Sequence, residues 1–81
     1  MLKNARVMIH DPLIGSVGGS ALKIDSISKD LLRTREITGT ILAKHTKRTL
    51  EEILVKTATD SYFDSKEAVD YGLADEIIER I

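Results

Sequence analysis

The chain has 81 residues, of which 42% are hydrophobic and none is cysteine, and its 12 lysines and arginines face 13 aspartates and glutamates. This length allows at most one small domain, whose core is marginal without a partner surface, a metal or a disulfide. The lack of cysteine excludes disulfides and thiolate metal sites. A net charge of −1 gives no electrostatic reason to expect a nucleic acid or a membrane as partner, and no apolar run approaches the roughly 20 residues that span a bilayer.

The first predicted element is a short strand followed by a loop. Residues 5–9 are apolar and partly β-branched, which predicts a buried strand that Pro12 ends. Glycines and serines between Leu13 and Ser20 predict a loop. The residues before the strand lack the apolar core of a signal peptide, so no signal peptide is expected among them.

Two helices are predicted next. Apolar side chains recur at three- and four-residue steps over residues 22–45, which predicts one long helix. Gly39 inside it costs about 1 kcal/mol relative to alanine, which indicates either a bend or a neighbour that needs the space. A second helix is predicted over residues 49–56, with Thr49 as its N-cap and Glu52 placed to complete a capping box.

A third helix and a second strand complete the predicted elements. The third helix covers residues 65–71, with Asp64 or Ser65 as its N-cap and Gly72 just beyond its end. Isoleucines near the end of the chain predict a short strand over residues 75–80. Two lone strands do not form a stable sheet, so the pattern favours a piece of a larger α/β unit.

His10 and Asp60 are the candidate catalytic residues, and each also has a structural interpretation. His10 follows the first strand, where a rigid scaffold meets a loop, but a partly buried histidine bonded to a carbonyl fits the same place. Asp60 lies between the second and third helices, where turn and cap aspartates are common. Asp11 and Asp64 compete with Asp60 to orient His10, although Asp64 is also a predicted cap.

No nucleophile, phosphate loop or metal site is evident. None of the serines lies in a G-x-S-x-G elbow; they are Ser16, Ser20, Ser26, Ser28, Ser61 and Ser65. The segment from Gly15 to Gly19 fits neither a dinucleotide fingerprint nor a Walker loop. His10 and His45 match no metal-ligand spacing, so we predict neither a metal nor a cofactor. His45 is better explained as a favourable charge at a helix C-terminus.

Five segments in a fixed order resemble one family. They are Arg6–Pro12, Leu13–Ala21, Ala43–Thr46, Thr57–Phe63 and Glu67–Asp75. In turn they resemble R-V-M-I-H-Q-P, P-L-G-G-x-x-G-Q-A, A-x-H-T, T-x-R-D-x-F and E-A-x-x-Y-G-L-x-D of the Clp protease proteolytic subunit, a serine peptidase. The resemblance covers nearly the whole chain.

The resemblance implies an α/β fold of the Clp peptidase and crotonase type, with residues 1–81 as its C-terminal portion and residues 22–45 as the handle helix. It implies that His10 is the general base of a serine triad and that Asp60 orients it. In the family the serine lies before the first of these motifs. We therefore expect these residues alone to hydrolyse no peptides.

The resemblance also implies partners. The family forms heptameric rings stacked in pairs, and a AAA+ unfoldase ATPase delivers unfolded proteins to them in the bacterial cytoplasm, plastids or the mitochondrial matrix. The main alternative is a non-catalytic structural subunit that enters mixed rings. A crotonase-type acyl-CoA enzyme is disfavoured, because the ordered motifs are those of the peptidase.

The chain departs from the family's motifs at several positions. Asp11 replaces a glutamine next to the base. Ala58 and Thr59 replace an acidic residue and an arginine that contribute to contacts between rings in the family. Lys47 and Arg48 replace the usual Gly-Gln after the handle helix. Such changes fit a diverged paralogue or a gene fragment.

Overall fold

The computed structural model describes residues 1–13, 15 and 18–79. The predicted loop lies partly outside them, as do Ser16 and the final residue of the predicted last strand. The elements in chain order are β1 (Val7–Ile9), α1 (Ala21–Thr46), α2 (Leu50–Thr57), β2 (Ser61–Phe63) and α3 (Ser65–Tyr71). This mixture of helices with a small sheet confirms the predicted α/β class.

The sheet consists of β1 and β2, which pair antiparallel. Val7 lies opposite Phe63, and Ile9 lies opposite Ser61. The sequence interpretation placed only a loop between the second and third helices, so β2 is an addition. A strand of three residues is too short to show a period, and its place is set by its pairing with β1.

The predicted strand over residues 75–80 is wrong for the residues that the structure describes. Between residues 75 and 79 the chain forms one isolated parallel bridge, between Leu2 and Ile78. The Ile78 amide donates to Met1 O at 2.8 Å, and the Lys3 amide donates to Ile78 O at 3.2 Å. The partner segment turns away immediately, since the Ala5 amide bonds back to Leu2 O. Without an extended partner no ladder forms.

Helix α1 is set by local signals at both ends. The Ser20 hydroxyl caps it by accepting from the Lys23 amide at 3.2 Å. It ends at Lys47, a non-glycine residue in the left-handed region at φ 60°. The amides of Lys47 and Arg48 both donate to Ala43 O, which satisfies a carbonyl of the last turn.

Helix α2 packs across α1 at Gly39. A Cβ added to Gly39 would lie 3.0 Å from Leu54 Cδ2 and 3.1 Å from Leu50 Cδ1. Gly39 is buried, so the explanation for a glycine inside this helix is a close neighbour. This crossing holds α2 against α1 and directs Thr57, the last residue of α2, towards the end of β1.

The caps of α2 and α3 differ. Thr49 accepts from the Glu52 amide at 3.1 Å, but the Glu52 carboxylate pairs with Arg48 at 2.5 Å, so the predicted capping box is only half formed. At α3 the cap is Asp64, and the box is complete: Asp64 Oδ1 accepts from the Glu67 amide, and Glu67 Oε1 accepts from the Asp64 amide.

The core is small. Among the described residues the buried hydrophobic side chains are Ile9, Ile53, Phe63 and Ala68. Ile9 and Phe63 come from the inner face of the sheet, and Ala68 covers them from α3. The core therefore fixes β1 and β2 just before and after the two candidate catalytic residues.

Candidate active site

The strand register brings His10 and Asp60 to the same end of the sheet. The last ladder pair joins Ile9 to Ser61, so His10, which follows Ile9, and Asp60, which precedes Ser61, lie at this end of the sheet. The Asp11 amide then donates to Thr57 O at 2.9 Å, so the two segments stay together beyond the ladder. The structure thus gives the two residues, 50 positions apart in the chain, a common location.

Among the described residues, the His10 ring has a hydrogen-bond partner in the backbone. Its Nδ1 lies 2.6 Å from the backbone oxygen of Asp11. A carbonyl oxygen only accepts, so Nδ1 carries the proton and Nε2 of the neutral ring is left with its lone pair. That tautomer is the one a general base needs if Nε2 is to take a proton.

The side chains of His10 and Asp60 are both exposed, and no hydrogen bond joins them, although the structure describes both residues. Asp64, a competing candidate, serves as the cap of α3. Asp11, the other competitor, contacts the ring through its backbone carbonyl rather than through its carboxylate.

The Asp11 carboxylate is held by two side chains that the sequence did not reveal. Asp11 Oδ1 accepts from Arg35 Nε at 2.9 Å and from Thr57 Oγ1 at 3.0 Å. Arg35 also donates from Nη2 to Leu54 O at 3.0 Å. These contacts join α1, α2 and the residue after His10. Arg35 and Thr57 lie 24 and 46 positions from Asp11, so no motif or period could have predicted the contact.

A cleft of about 240 Å³ lies beside His10, between the end of β1 and α1. It is lined by His10, Pro12, Arg35, Thr38, Leu42 and Thr57, among others. A larger cleft of about 560 Å³ lies between α2 and β2, but neither His10 nor Asp60 lines it. We place the candidate site at the smaller cleft, because that is where a base is available.

Three of the candidate serines have structural contacts. Ser20 caps α1, Ser61 donates to Lys56 O at 2.8 Å, and Ser65 donates to Lys3 O at 2.6 Å. Within residues 1–13, 15 and 18–79, no group of three or more histidine, cysteine or acidic side chains is arranged to hold a metal. None of the helices described by the structure has the length and apolar character needed to cross a bilayer.

The resemblance led us to expect an α/β chain of the Clp peptidase family, and comparison with known proteins supports that family. The model of the family described as Clp protease matches residues 1–81. The chain is also 42% identical over 79 residues to the ATP-dependent Clp protease proteolytic subunit 1 of Bifidobacterium longum (strain NCC 2705). The chain therefore belongs to the Clp protease family, which confirms the family resemblance of its motifs.

The chain spans about a third of the length of that relative. The match covers 98% of this chain but 34% of the Bifidobacterium protein.

Proposed function

We propose that this chain supplies the general base, His10, and the orienting carboxylate, Asp60, of a Clp-type serine endopeptidase subunit that hydrolyses unfolded proteins to short peptides. The observation that supports this most is the register of β1 and β2, which brings the two residues to one end of the sheet. The Nδ1–H tautomer of His10 and the family membership support it further.

The proposed chemistry is acyl transfer through a serine ester. His10 Nε2 takes the proton of a serine hydroxyl during attack on the peptide carbonyl and returns it to the leaving amine. Asp60 stabilises the imidazolium that forms in between. Because both side chains are exposed, their rotamers are not fixed by packing, and we propose that Nδ1–H turns from Asp11 O to Asp60 when the site is complete. The serine and the oxyanion donors come from outside these 81 residues.

We propose that the subunit assembles as its family does, in stacked heptameric rings served by a AAA+ unfoldase. Helix α1 supports this role. It is 26 residues long and exposes large apolar side chains at five positions: Leu22, Ile24, Leu32, Ile37 and Ile41. A surface of this kind is typical of a helix that packs against other subunits.

The first experiment uses these 81 residues alone with a fluorogenic short peptide. We expect no turnover above background, because no nucleophile is supplied. Turnover that depends on His10 would contradict the proposal that the serine nucleophile comes from outside these 81 residues.

The second experiment completes the site. The part of the Bifidobacterium relative that precedes the matched region is fused to this chain, and peptidase activity is measured. We expect His10→Ala to lower kcat at least about 10³-fold and Asp60→Asn about 10⁴-fold. Asp64→Asn is the matched control, since asparagine also caps a helix and should leave kcat unchanged. Equal effects of the two aspartate substitutions would contradict the assignment of Asp60.

The alternative is a structural subunit without catalytic function. It is favoured by one observation, that the His10 ring bonds to Asp11 O and not to Asp60. On that hypothesis the fusion protein forms rings of the expected mass, measured by sedimentation, but has no activity that His10→Ala could remove.

A further inference from the structure

We propose that Arg35 and Thr57 act as positioning residues for His10, because they fix Asp11 and thereby the carbonyl that holds the His10 ring in its Nδ1–H tautomer until Asp60 accepts that hydrogen bond in the complete site. We call these three residues the Asp11 clamp. The inference deepens the proposed function and rests on it for the role of His10. The contacts themselves stand independently of any catalytic assignment.

Every polar group of Asp11 has a defined contact. Its amide donates to Thr57 O at 2.9 Å, and its Oδ1 accepts from Thr57 Oγ1 and Arg35 Nε. Its carbonyl accepts Nδ1–H of His10 at 2.6 Å. The amide and the carboxylate hold Asp11 itself, and the following Pro12 restricts its ψ to the extended region, so its carbonyl keeps its direction towards the imidazole.

Arg35 makes the clamp rigid. Its guanidinium donates to the Asp11 carboxylate from Nε and to Leu54 O from Nη2, and a planar guanidinium holds two acceptors in a fixed relation. The side chains of Arg35 and Asp11 are 29% and 32% exposed, so water screens this pair less than it screens an ion pair on the open surface. Arg35 thus ties Asp11 to both α1 and α2.

Thr57 closes the clamp from α2. It is buried, and its hydroxyl and its carbonyl contact the carboxylate and the amide of Asp11. A neutral imidazole without such a partner favours Nε2–H, which leaves no lone pair at Nε2. In the 81-residue chain, where Asp60 does not bond to the ring, release of Asp11 should therefore convert His10 to the tautomer that cannot accept a serine proton at Nε2.

The test is the tautomer of His10 in the 81-residue chain, measured from the ring nitrogen shifts of ¹⁵N-histidine at a pH where the ring is neutral. We expect Nδ1–H to be the major form in the unsubstituted chain and the minor form in Arg35→Met and Thr57→Val. Thr57→Ser should retain the major form, because it keeps the hydroxyl. His45, exposed near the end of α1, provides an internal reference in every spectrum.

Matched controls separate the clamp from a general effect on α1. Arg33→Met removes an exposed guanidinium two residues from Arg35, and Thr34→Val removes a hydroxyl that bonds only within its own helix, to Asp30 O. Neither should change the His10 tautomer. Because Arg35→Met could unfold the α1–α2 contact, Asp11→Asn provides a milder variant, and we expect it to lower the Nδ1–H fraction while far-UV circular dichroism stays unchanged.

Several outcomes would overturn the clamp. One is that the ring ¹⁵N shifts of His10 in the folded, unsubstituted chain equal those measured for the same chain unfolded in urea. A second is that Thr57→Val and Asp11→Asn leave the tautomer ratio of His10 unchanged. A third is that the controls Arg33→Met and Thr34→Val change this ratio as much as the clamp variants do. None of these outcomes bears on whether His10→Ala abolishes peptidase activity in the fusion protein, so failure of the clamp and failure of the proposed function are distinguishable.

Discussion

Tyr71 has a hydroxyl that is buried without a hydrogen-bond partner in the described part of the chain. Its ring lies between that of Phe63, with centroids 4.9 Å apart, and the Arg48 guanidinium, 3.9 Å above it. Arg48 Nε also donates to Tyr71 O at 3.0 Å. The ring is therefore well packed, while its polar atom is unsatisfied, and the two parts of one side chain have opposite effects on stability.

We expect Tyr71→Phe to raise the free energy of unfolding by about 1 kcal/mol, because a buried unsatisfied polar group costs about 1–3 kcal/mol. The contacts with Phe63 and Arg48 are kept, since phenylalanine retains the ring. Urea unfolding at low temperature measures the difference. Tyr62→Phe is the control: Tyr62 is 60% exposed, and loss of its hydroxyl should change little. Destabilisation by Tyr71→Phe would show that the hydroxyl has a partner in solution.

The same residue predicts a change at high pH. Burial raises the pKa of Tyr71 above its ordinary value of 10.0; the Arg48 charge opposes this effect and the Glu52 charge adds to it. A raised pKa in the folded state means that the unfolded chain loses this proton first. The contribution of the protonated Tyr71 side chain to the free energy of unfolding is thus fully present below about pH 10. It is lost as the pH rises through the higher pKa of the folded state.

Two measurements check this pH dependence. In a spectroscopic phenolate titration of Tyr62→Phe, in which Tyr71 is the one remaining tyrosine of the sequence, ionisation should occur above the ordinary tyrosine value of 10.0. The difference in unfolding free energy between the unsubstituted chain and Tyr71→Phe should be constant below about pH 10 and should increase in favour of phenylalanine above it. A difference independent of pH would contradict the assignment.

Local signals predict the helices better than the strands. The predicted ranges 22–45, 49–56 and 65–71 correspond to α1, α2 and α3, because caps and periodicity lie within each segment. A strand depends on its partner instead. β2 is ordered by β1, while residues 75–79 find only a bridge to Leu2.

In the candidate site, too, local sequence signals indicate some residues, whereas the contacts made by the fold are not predictable. His10 and Asp60 could be predicted, because each lies in a motif that resembles the family. The contacts of Asp11 with Arg35 and Thr57 could not, because they arise where α2 crosses α1. The carboxylate at position 11 looked like a second charge beside the base, and only the structure shows that it pairs with Arg35.

The end of α1 has a residue that its backbone does not favour. Lys47 adopts φ 60°, a region that costs a residue with a Cβ about 1–2 kcal/mol and a glycine little. We expect Lys47→Gly to raise the free energy of unfolding by about 0.5–1 kcal/mol; the gain is less than the full strain because glycine also gives the unfolded chain more freedom. Thermal and urea unfolding measure it.

Two control variants isolate the backbone effect at Lys47. Lys47→Ala removes the charge but keeps the Cβ, so it should not stabilise the chain. Lys44→Gly introduces glycine at a helical position in the last turn of α1 and should lower the free energy of unfolding by about 1 kcal/mol. Equal effects of glycine at positions 44 and 47 would show that the left-handed conformation at Lys47 is not strained.

The whole molecule is elongated and has a large surface. Its principal extents are 52 × 25 × 19 Å and its radius of gyration is 15.7 Å, whereas a compact chain of this length would have about 12 Å. Its accessible surface is 6319 Å², against about 4,900 Å² for a compact monomer of the same mass. Large apolar side chains are exposed along α1, and the outer face of the sheet adds Met8 and Tyr62.

This shape predicts weak cooperativity for the chain in isolation. The buried cluster of Ile9, Phe63 and Ala68 joins β1, β2 and α3, while most of α1 extends beyond it, so the parts can unfold in separate steps. We expect a free energy of unfolding below about 3 kcal/mol and a broad transition in dilute solution. Far-UV circular dichroism, which follows α1, should lose its signal at lower urea concentration than tyrosine fluorescence, which follows the core through Tyr71. Coincident, sharp transitions by both probes at every protein concentration would contradict this, and would mean that the contact of α2 with Gly39 couples the long helix to the core.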